Sequence, residues 1–342
     1  MPSHITHALI VWDAYGRVFG PIGDKKEISD SPQLRALTLG AQGPDIFFHN
    51  RRTMPSGISM GSLAHRRDYG LISEAMLRRT AESKVQSEEL MYVAGWLSHS
   101  VVDRIFHPYV IYRSGWFSSK SDATRRYIRW HSMLERIMDR ILLESLRGEN
   151  VSDYDMYALC SIGDTIPLWL KKLLVYSFKQ AYREVRRDKK VSLRVANAYA
   201  DTMAFYRDIH PSIKEKLSPY LAKRPTRETK KRSVSLLHPP FSPDFDVLNL
   251  EHSIWYSPFC KEKKYTSSVM ELYETAVKKV SDIFSFIKSR KIEDIPQEIL
   301  DTSNLSSGEE RGRQTPLYSS PFPMDSYIEK VVDYYEKYDN LL

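Results

Sequence analysis

Residues 91–109 read MYVAGWLSHSVVDRIFHPY. His99, Asp103 and His107 stand at i, i+4 and i+8 among Trp96, Leu97, Val101, Val102, Ile105 and Phe106. In a helix four residues advance ~400°, so each of these groups lies only ~40° round from the last. All three project from one stripe, with neighbouring β-carbons ~5–6 Å apart. Pro108 follows at once. Helices usually end at or before the residue preceding a proline, so His107 is expected at the helix end.

The stretch WHSMLERIMD, residues 130–139, repeats the device with His131 and Glu135. Taken singly, such a pair is commonly a solvated helix face or a satisfied core histidine. The flanks of His99 and His107 are too apolar for a surface helix, and burying five polar groups without partners is costly. Imidazoles with carboxylates at this spacing form a ligand set that suits zinc. There are two cysteines and no C-x-x-C, so any metal site must be built from histidine and carboxylate.

With 342 residues, 42% of them hydrophobic, the chain can bury a large core as one or two domains. The net charge of +7 favours anionic partners such as phosphates, nucleic acid or lipid head groups. The excess is local, in Arg125, Arg126 and Arg129 and in the run from Lys223 to Arg232. The first residues, MPSHITHALIVWD, lack the basic and long apolar regions of a secretion signal, and no apolar window approaches ~18 residues. A cytoplasmic protein is expected.

Three- and four-residue apolar spacing predicts helices over 33–41, from His65 to about Ser83, and over 88–107, 123–147 (with Asp122 as cap), 153–162, 166–188, 192–221, 265–290 and 324–340. Strand signals are scarce, so the expected fold is all-α. Residues 222–264 carry no sustained period and read as an irregular excursion; 296–323 are Pro/Ser-rich and read as a linker. The expected organisation is a catalytic domain over 1–147, a helical extension over 148–295, the linker, and a Tyr-rich final helix in 324–342.

The ordered set His7, Asp45, His65, His99, Asp103, His107, His131 and Glu135 resembles the bacterial zinc-dependent phospholipase C family. The phrases LGAQGPDIFFH, GSLAHRRDYG, GWLSHSVVDRIFHPY and HSMLERIMD carry the likeness, over roughly residues 1–147. Single-strand nucleases of the S1/P1 type share that fold and ligand order. The resemblance implies a multi-helix bundle with two or three zinc ions. One would be held by Asp45, His65, His99 and Asp103, and a second by His107, His131 and Glu135. A third would use His7, Asp103 as bridge, and the amino-terminal residue. The family's secreted enzymes expose a processed N-terminal residue, usually Trp; here Met1 or Pro2 is on offer, with His4 as a substitute.

The implied activity is phosphodiester hydrolysis. A metal-bound hydroxide would attack phosphorus, Asp45 would orient the water, and the ion on His107, His131 and Glu135 would stabilise the leaving alkoxide. A phospholipid head group or another phosphodiester is the expected substrate, with peripheral membrane contact possible. A nuclease is the alternative, on charge and ligand order. A non-catalytic, metal-stabilised helical protein is the third reading, with the basic run and the last helix meeting a partner or membrane. Of the remaining residues, Asp139 is expected either to orient a ligand or to face solvent. His49 is a marginal ligand. Trp96 and Trp130 read as core, the three arginines 125, 126 and 129 as a solvated face, and His210, His238 and His252 fit no usable spacing.

Overall fold

The helix built on residues 91–109 is the one around which the others pack. The computed structural model describes residues 4–82, 87–118, 121–210, 226–289, 299–308 and 315–339. In chain order the helices are α1 (His4–Phe19), α2 (Lys25–Asp30), α3 (Pro32–Ala41), α4 (Ile58–Arg66), α5 (Tyr69–Glu82), α6 (Ser87–Ser114), α7 (Trp130–Arg147), α8 (Met156–Cys160), α9 (Leu168–Ala181), α10 (Arg183–Arg187), α11 (Val191–Ile209), α12 (Arg227–Val234), α13 (Val269–Ser289) and α14 (Met324–Asp339). Among the described residues the only strands are β1 (Trp255–Tyr256) and β2 (Lys264–Tyr265), an antiparallel pair. The fold is all-α. No helix among the described residues is long and apolar enough to cross a membrane.

Helix α6 has 28 residues, a length of about 42 Å at 1.5 Å per residue. It is buried on most of its circumference, through Tyr92, Trp96, Leu97, Val102, Tyr109 and Val110. Helices α1, α3, α5, α7 and α13 pack around it. A β-carbon at Gly40 of α3 would collide with the Tyr92 carbonyl, and one at Gly95 of α6 with the Leu37 carbonyl. Two opposed glycines therefore let these backbones touch, which brings the turn after α3 onto α6 beside His99.

Several expected boundaries move. Helix α6 runs through Pro108 to Ser114, so His107 is not at its end. The proline costs ~3 kcal/mol in a helix interior, and burial of Tyr109, Val110 and Ile111 at ~1.5–3 kcal/mol for each large side chain outweighs it. The helix expected from His65 to Ser83 is two. Helix α4 ends with His65 in its last turn, and Asp68, at φ 62°, turns the chain into α5. The helix expected over 123–147 begins as a 3-10 turn, Asp122–Tyr127, and Asp122 makes no cap; α7 proper starts at Trp130. The excursion at 222–264 contains α12 and the β1–β2 hairpin. The helix expected over 192–221 ends at Ile209, and residues 211–225 lie outside the described residues.

One apolar core crosses the boundary expected at residue 147. Tyr273 of α13 donates to Asp13 of α1 at 2.6 Å, and Phe178 of α9 packs edge-on against Phe47. The stretch expected as a linker is likewise packed where it is described. The backbone N–H groups of Asp68 and Gly70 donate to the carbonyls of Thr302 and Asp301, that of Leu305 donates to the carbonyl of His65, and Arg104 donates to the carbonyls of Asp301 and Ser303. Residues 299–308 thus form a strap fastened across α6.

In the described part of the basic run, residues 226–232, the cations are paired with carboxylates. Arg227 pairs with Glu329, Asp333 and Glu336 of α14 at 2.6–2.7 Å, and Lys230 with Glu336 at 2.7 Å. Two tyrosines of α14 turn inward: Tyr327 donates to the Phe241 carbonyl and Tyr335 to the His238 carbonyl.

Candidate metal centre

The predicted stripe on α6 meets residues from four other segments. His7 comes from the second turn of α1. Asp45 comes from a 3-10 turn, Gly43–Phe47, after α3. His65 comes from α4, and His131 and Glu135 from α7. Gly43, at φ 53°, fits there because a β-carbon would strike the His99 ring; the glycine is what lets Asp45 approach that imidazole.

Asp103 is the hub. Its oxygens lie 3.2 Å from His99 Nε2, 3.3 Å from His7 Nε2, 3.6 Å from His65 Nε2 and 3.7 Å from His107 Nδ1. Asp45 lies 2.9 Å from His65 Nε2 and 3.9 Å from His99 Nε2. Glu135 lies 2.9 Å from His131 Nε2 and 3.7 Å from His107 Nε2. Three groups have ligand atoms within 4.8 Å of one another: His65, His99 and Asp103; His7, Asp45 and His99, which shares His99 with the first; and, separately, His107, His131 and Glu135. All eight predicted side chains come together.

The histidines are oriented from behind. His65 Nδ1 donates to the Gly61 carbonyl at 2.8 Å, His99 Nδ1 to the Ala41 carbonyl at 3.0 Å, and His107 Nδ1 to the Leu305 carbonyl at 3.2 Å. These bonds assign the tautomer: a neutral ring that spends its proton on a carbonyl points a lone pair, not a donor, from Nε2. Those lone pairs face carboxylate oxygens. Neither oxygen of Asp45, nor Asp103 Oδ2, nor Glu135 Oε2, nor His99 Nε2 has a hydrogen-bond partner, although all are buried. Facing carboxylates and imidazole nitrogens in a buried place need something positive between them, either a proton on the ring or a cation. A divalent cation fits this donor set, and backbone-anchored imidazoles are the usual second layer of such a site. A chamber of about 20 Å³ bounded by His7, Asp103, His107 and Glu135 lies inside the cluster.

The protonation of the cluster follows the same crowding. Burial works against charge on His107, but Asp103 and Glu135 outweigh it and raise the imidazole to about 9. His99 is raised by Asp103 and Asp45 against the same penalty. Asp103 overcomes its own burial, through His107 and His99, and is held well below the usual carboxylate range. Glu135 is lowered in the same way by His131 and His107. His131 is lowered, because burial exceeds the pull of Glu135.

The cluster is open on one side. Asp45, His65, His107 and His131 floor a cleft of about 340 Å³ whose walls carry Phe48, Trp116, Phe117, Tyr127 and Arg129. The side chain of His131 is 26% exposed, against 0% for His99, so ligands would enter over α7.

The lesser candidates separate cleanly. His4 points away from the cluster: its Nε2 meets Arg136 Nη2 at 3.0 Å, and its ring packs edge-on against Tyr206. His49 stacks on Phe205 and belongs with His4. The amino-terminal residue lies outside the described residues. Asp139 neither orients a ligand histidine nor faces solvent. Fully buried, it accepts from the backbone of Ile5 and Thr6, from the Thr6 hydroxyl at 2.9 Å, and from His238 Nε2 at 3.1 Å. It holds the first turn of α1, and so the approach to His7. Trp96 and Trp130 are core. The Leu305 carbonyl escaped the sequence reading, since a backbone acceptor leaves no mark in side-chain patterns.

No family model, curated protein or solved structure matches this chain. The functional reading therefore rests on the geometry and on the resemblance of its motifs.

Proposed function

We propose that this protein is a zinc-dependent phosphodiester hydrolase similar to the bacterial phospholipases C, with a bundle of that kind as its core. The observation that carries the reading is the buried cage itself: eight ligand-type side chains in three adjacent groups, with unpaired acceptors, opening onto a cleft. His65, His99, Asp103 and Asp45 would hold one ion, and His107, His131 and Glu135 a second. His7, with Asp45 and His99, supplies ligands for a third. When bound, divalent cations there would lower the pKa of water and neutralise charge developing on a phosphoryl group.

The chain's own residues do the rest. Asp103 has two oxygens amid four imidazoles and suits a bridging role. Asp45, on the cleft floor with both oxygens unpaired, would orient an incoming water and accept its proton. The aromatic walls exclude bulk water and receive the apolar part of a substrate.

Zinc analysis of the purified chain is the first test, with two or three ions per chain expected; fewer than two would count against the reading. Hydrolysis of bis-p-nitrophenyl phosphate, phosphatidylcholine and single-stranded nucleic acid is the second. Cleavage of nucleic acid alone would move the protein to the S1/P1-like class. The pairing of Arg227, Lys230 and Lys231 with α14 engages part of the basic run that motivated the non-catalytic reading. The open cleft speaks against a purely structural ion site, which would be closed.

A further inference from the structure

Among the described residues, four that are not glycine have positive φ: Asp68, Asn249, His252 and Arg129. Asp, Asn and His visit the left-handed region with some ease, whereas an arginine there is uncommon. Arg129, at φ 74° and ψ −2°, is the residue immediately before α7, and it lines the cleft over the cage. Of the three arginines in this stretch it is the one so placed. Backbone strain beside a site is commonly retained for what it positions.

One further feature points to an anion. Helix α7, of 18 residues, begins without a side-chain cap, so the positive end of its dipole opens where His131 and Ser132 meet the cleft. On the same floor, both oxygens of Asp45 are buried and unpaired. That position repels anions while the cage is empty. Two divalent cations more than neutralise Asp45, Asp103 and Glu135, and the floor becomes attractive to phosphate.

We propose that Arg129 is the phosphate-binding residue of this cleft: its guanidinium, with the uncapped first turn of α7, takes the non-bridging oxygens of a phosphodiester seated over Asp45, His65 and His131. The assignment rests on the reading of the cage as a metal centre. A planar fork suits two oxygens at once, which a lysine ammonium does not match.

The test uses the full chain reconstituted with zinc, inorganic phosphate as the probe, and calorimetry as the readout. Arg129→Gly is the informative variant, because glycine adopts the left-handed turn without strain. It should keep its zinc and melt no lower than the parent. Its phosphate affinity should fall about tenfold to a hundredfold, as for loss of a charged hydrogen bond. Arg129→Lys should fall between the two, and metal-free parent should bind no phosphate. Zinc-loaded Arg129→Gly that binds phosphate within about twofold of the parent would overturn the assignment and leave the cage reading intact. So would a zinc-loaded parent that binds no phosphate. A parent that binds no zinc would remove the cage reading, and this one with it.

Discussion

Helices α1 and α7 meet in two buried polar clusters, and the two are built on opposite rules. At one, Asp139 receives donors on both oxygens from Ile5, Thr6, Arg136 and His238. A guanidinium is buried with the carboxylate, and His4 and His238 are lowered, chiefly by burial. At the other, a helical turn away, His7 and Glu135 join a cluster with three carboxylates, five imidazoles and no guanidinium among its members, and four carboxylate oxygens lack any donor. At Asp139 both carboxylate oxygens are met by donors, although His4 Nδ1 and Arg136 Nε beside it have no partner. At the other cluster it is the carboxylate oxygens themselves that lack donors, a pattern a bound cation would satisfy.

The largest effect that would break this contrast is expected at the hub. Asp103→Asn should cost at least ~100-fold in zinc affinity, more than loss of an outer-layer partner, with hydrolysis falling in step. Zinc content and kinetics measured on one preparation decide it, and unchanged zinc would place Asp103 with the structural carboxylates.

Asp139→Ala should do the reverse. It strands the buried Arg136 charge, so stability should drop by about 3–5 kcal/mol, while zinc bound to the remaining ligands persists. Thermal melting with metal analysis separates the two outcomes; a variant that melts like the parent but loses zinc would merge the clusters.

Chelation sharpens the same point. Zinc at 100 times its Kd stabilises by about 2.7 kcal/mol, so EDTA should lower the melting temperature of the parent and leave that of Asp103→Asn almost unmoved.

The pH dependence has a definite sign. The metal-free His107 imidazole, raised to about 9, carries a proton at pH 7, and a ligand histidine must be neutral. Zinc binding should therefore release protons at pH 7 and tighten as pH rises toward 9. In the metal-free chain the His107 contribution to stability is complete below the unfolded imidazole pKa of ~6.5. It is lost as pH rises through about 9. Calorimetry in buffers of different ionisation enthalpy measures the release; none at pH 7 would contradict the raised imidazole.

The smallest effect belongs to the surface clamp. Arg227 is 40% exposed, so Arg227→Ala should cost under ~1 kcal/mol despite its three partners, and less still in high salt. A melting loss as large as that of Asp139→Ala would mean that α14 holds the core rather than lying on it.

The sequence made the cage legible because its members are side chains at helical spacing: His99, Asp103 and His107 on one stripe, His131 and Glu135 on another. Asp45 and His65 stood in motifs with recognisable neighbours. The limits of α6 were harder, since the local penalty of Pro108 lost to burial of Tyr109 and Ile111, which no window of sequence displays. His65 was visible as a ligand but not as the end of a helix, because the break comes from one backbone angle at Asp68. Asp139 could not be told from a surface acid while its donors, Thr6 and His238, lay about a hundred residues away on either side. Arg129 read as one of three similar arginines until its backbone set it apart.

The strap at 299–308 sets an order of events during synthesis. His107 has no acceptor for its Nδ1 proton, and His65 no amide to hold its carbonyl, until Leu305 has been made and has crossed back over α6. A nascent chain stopped short of that residue would hold all eight ligands and still lack the acceptor that orients the His107 ring and the amide that ties down the His65 backbone.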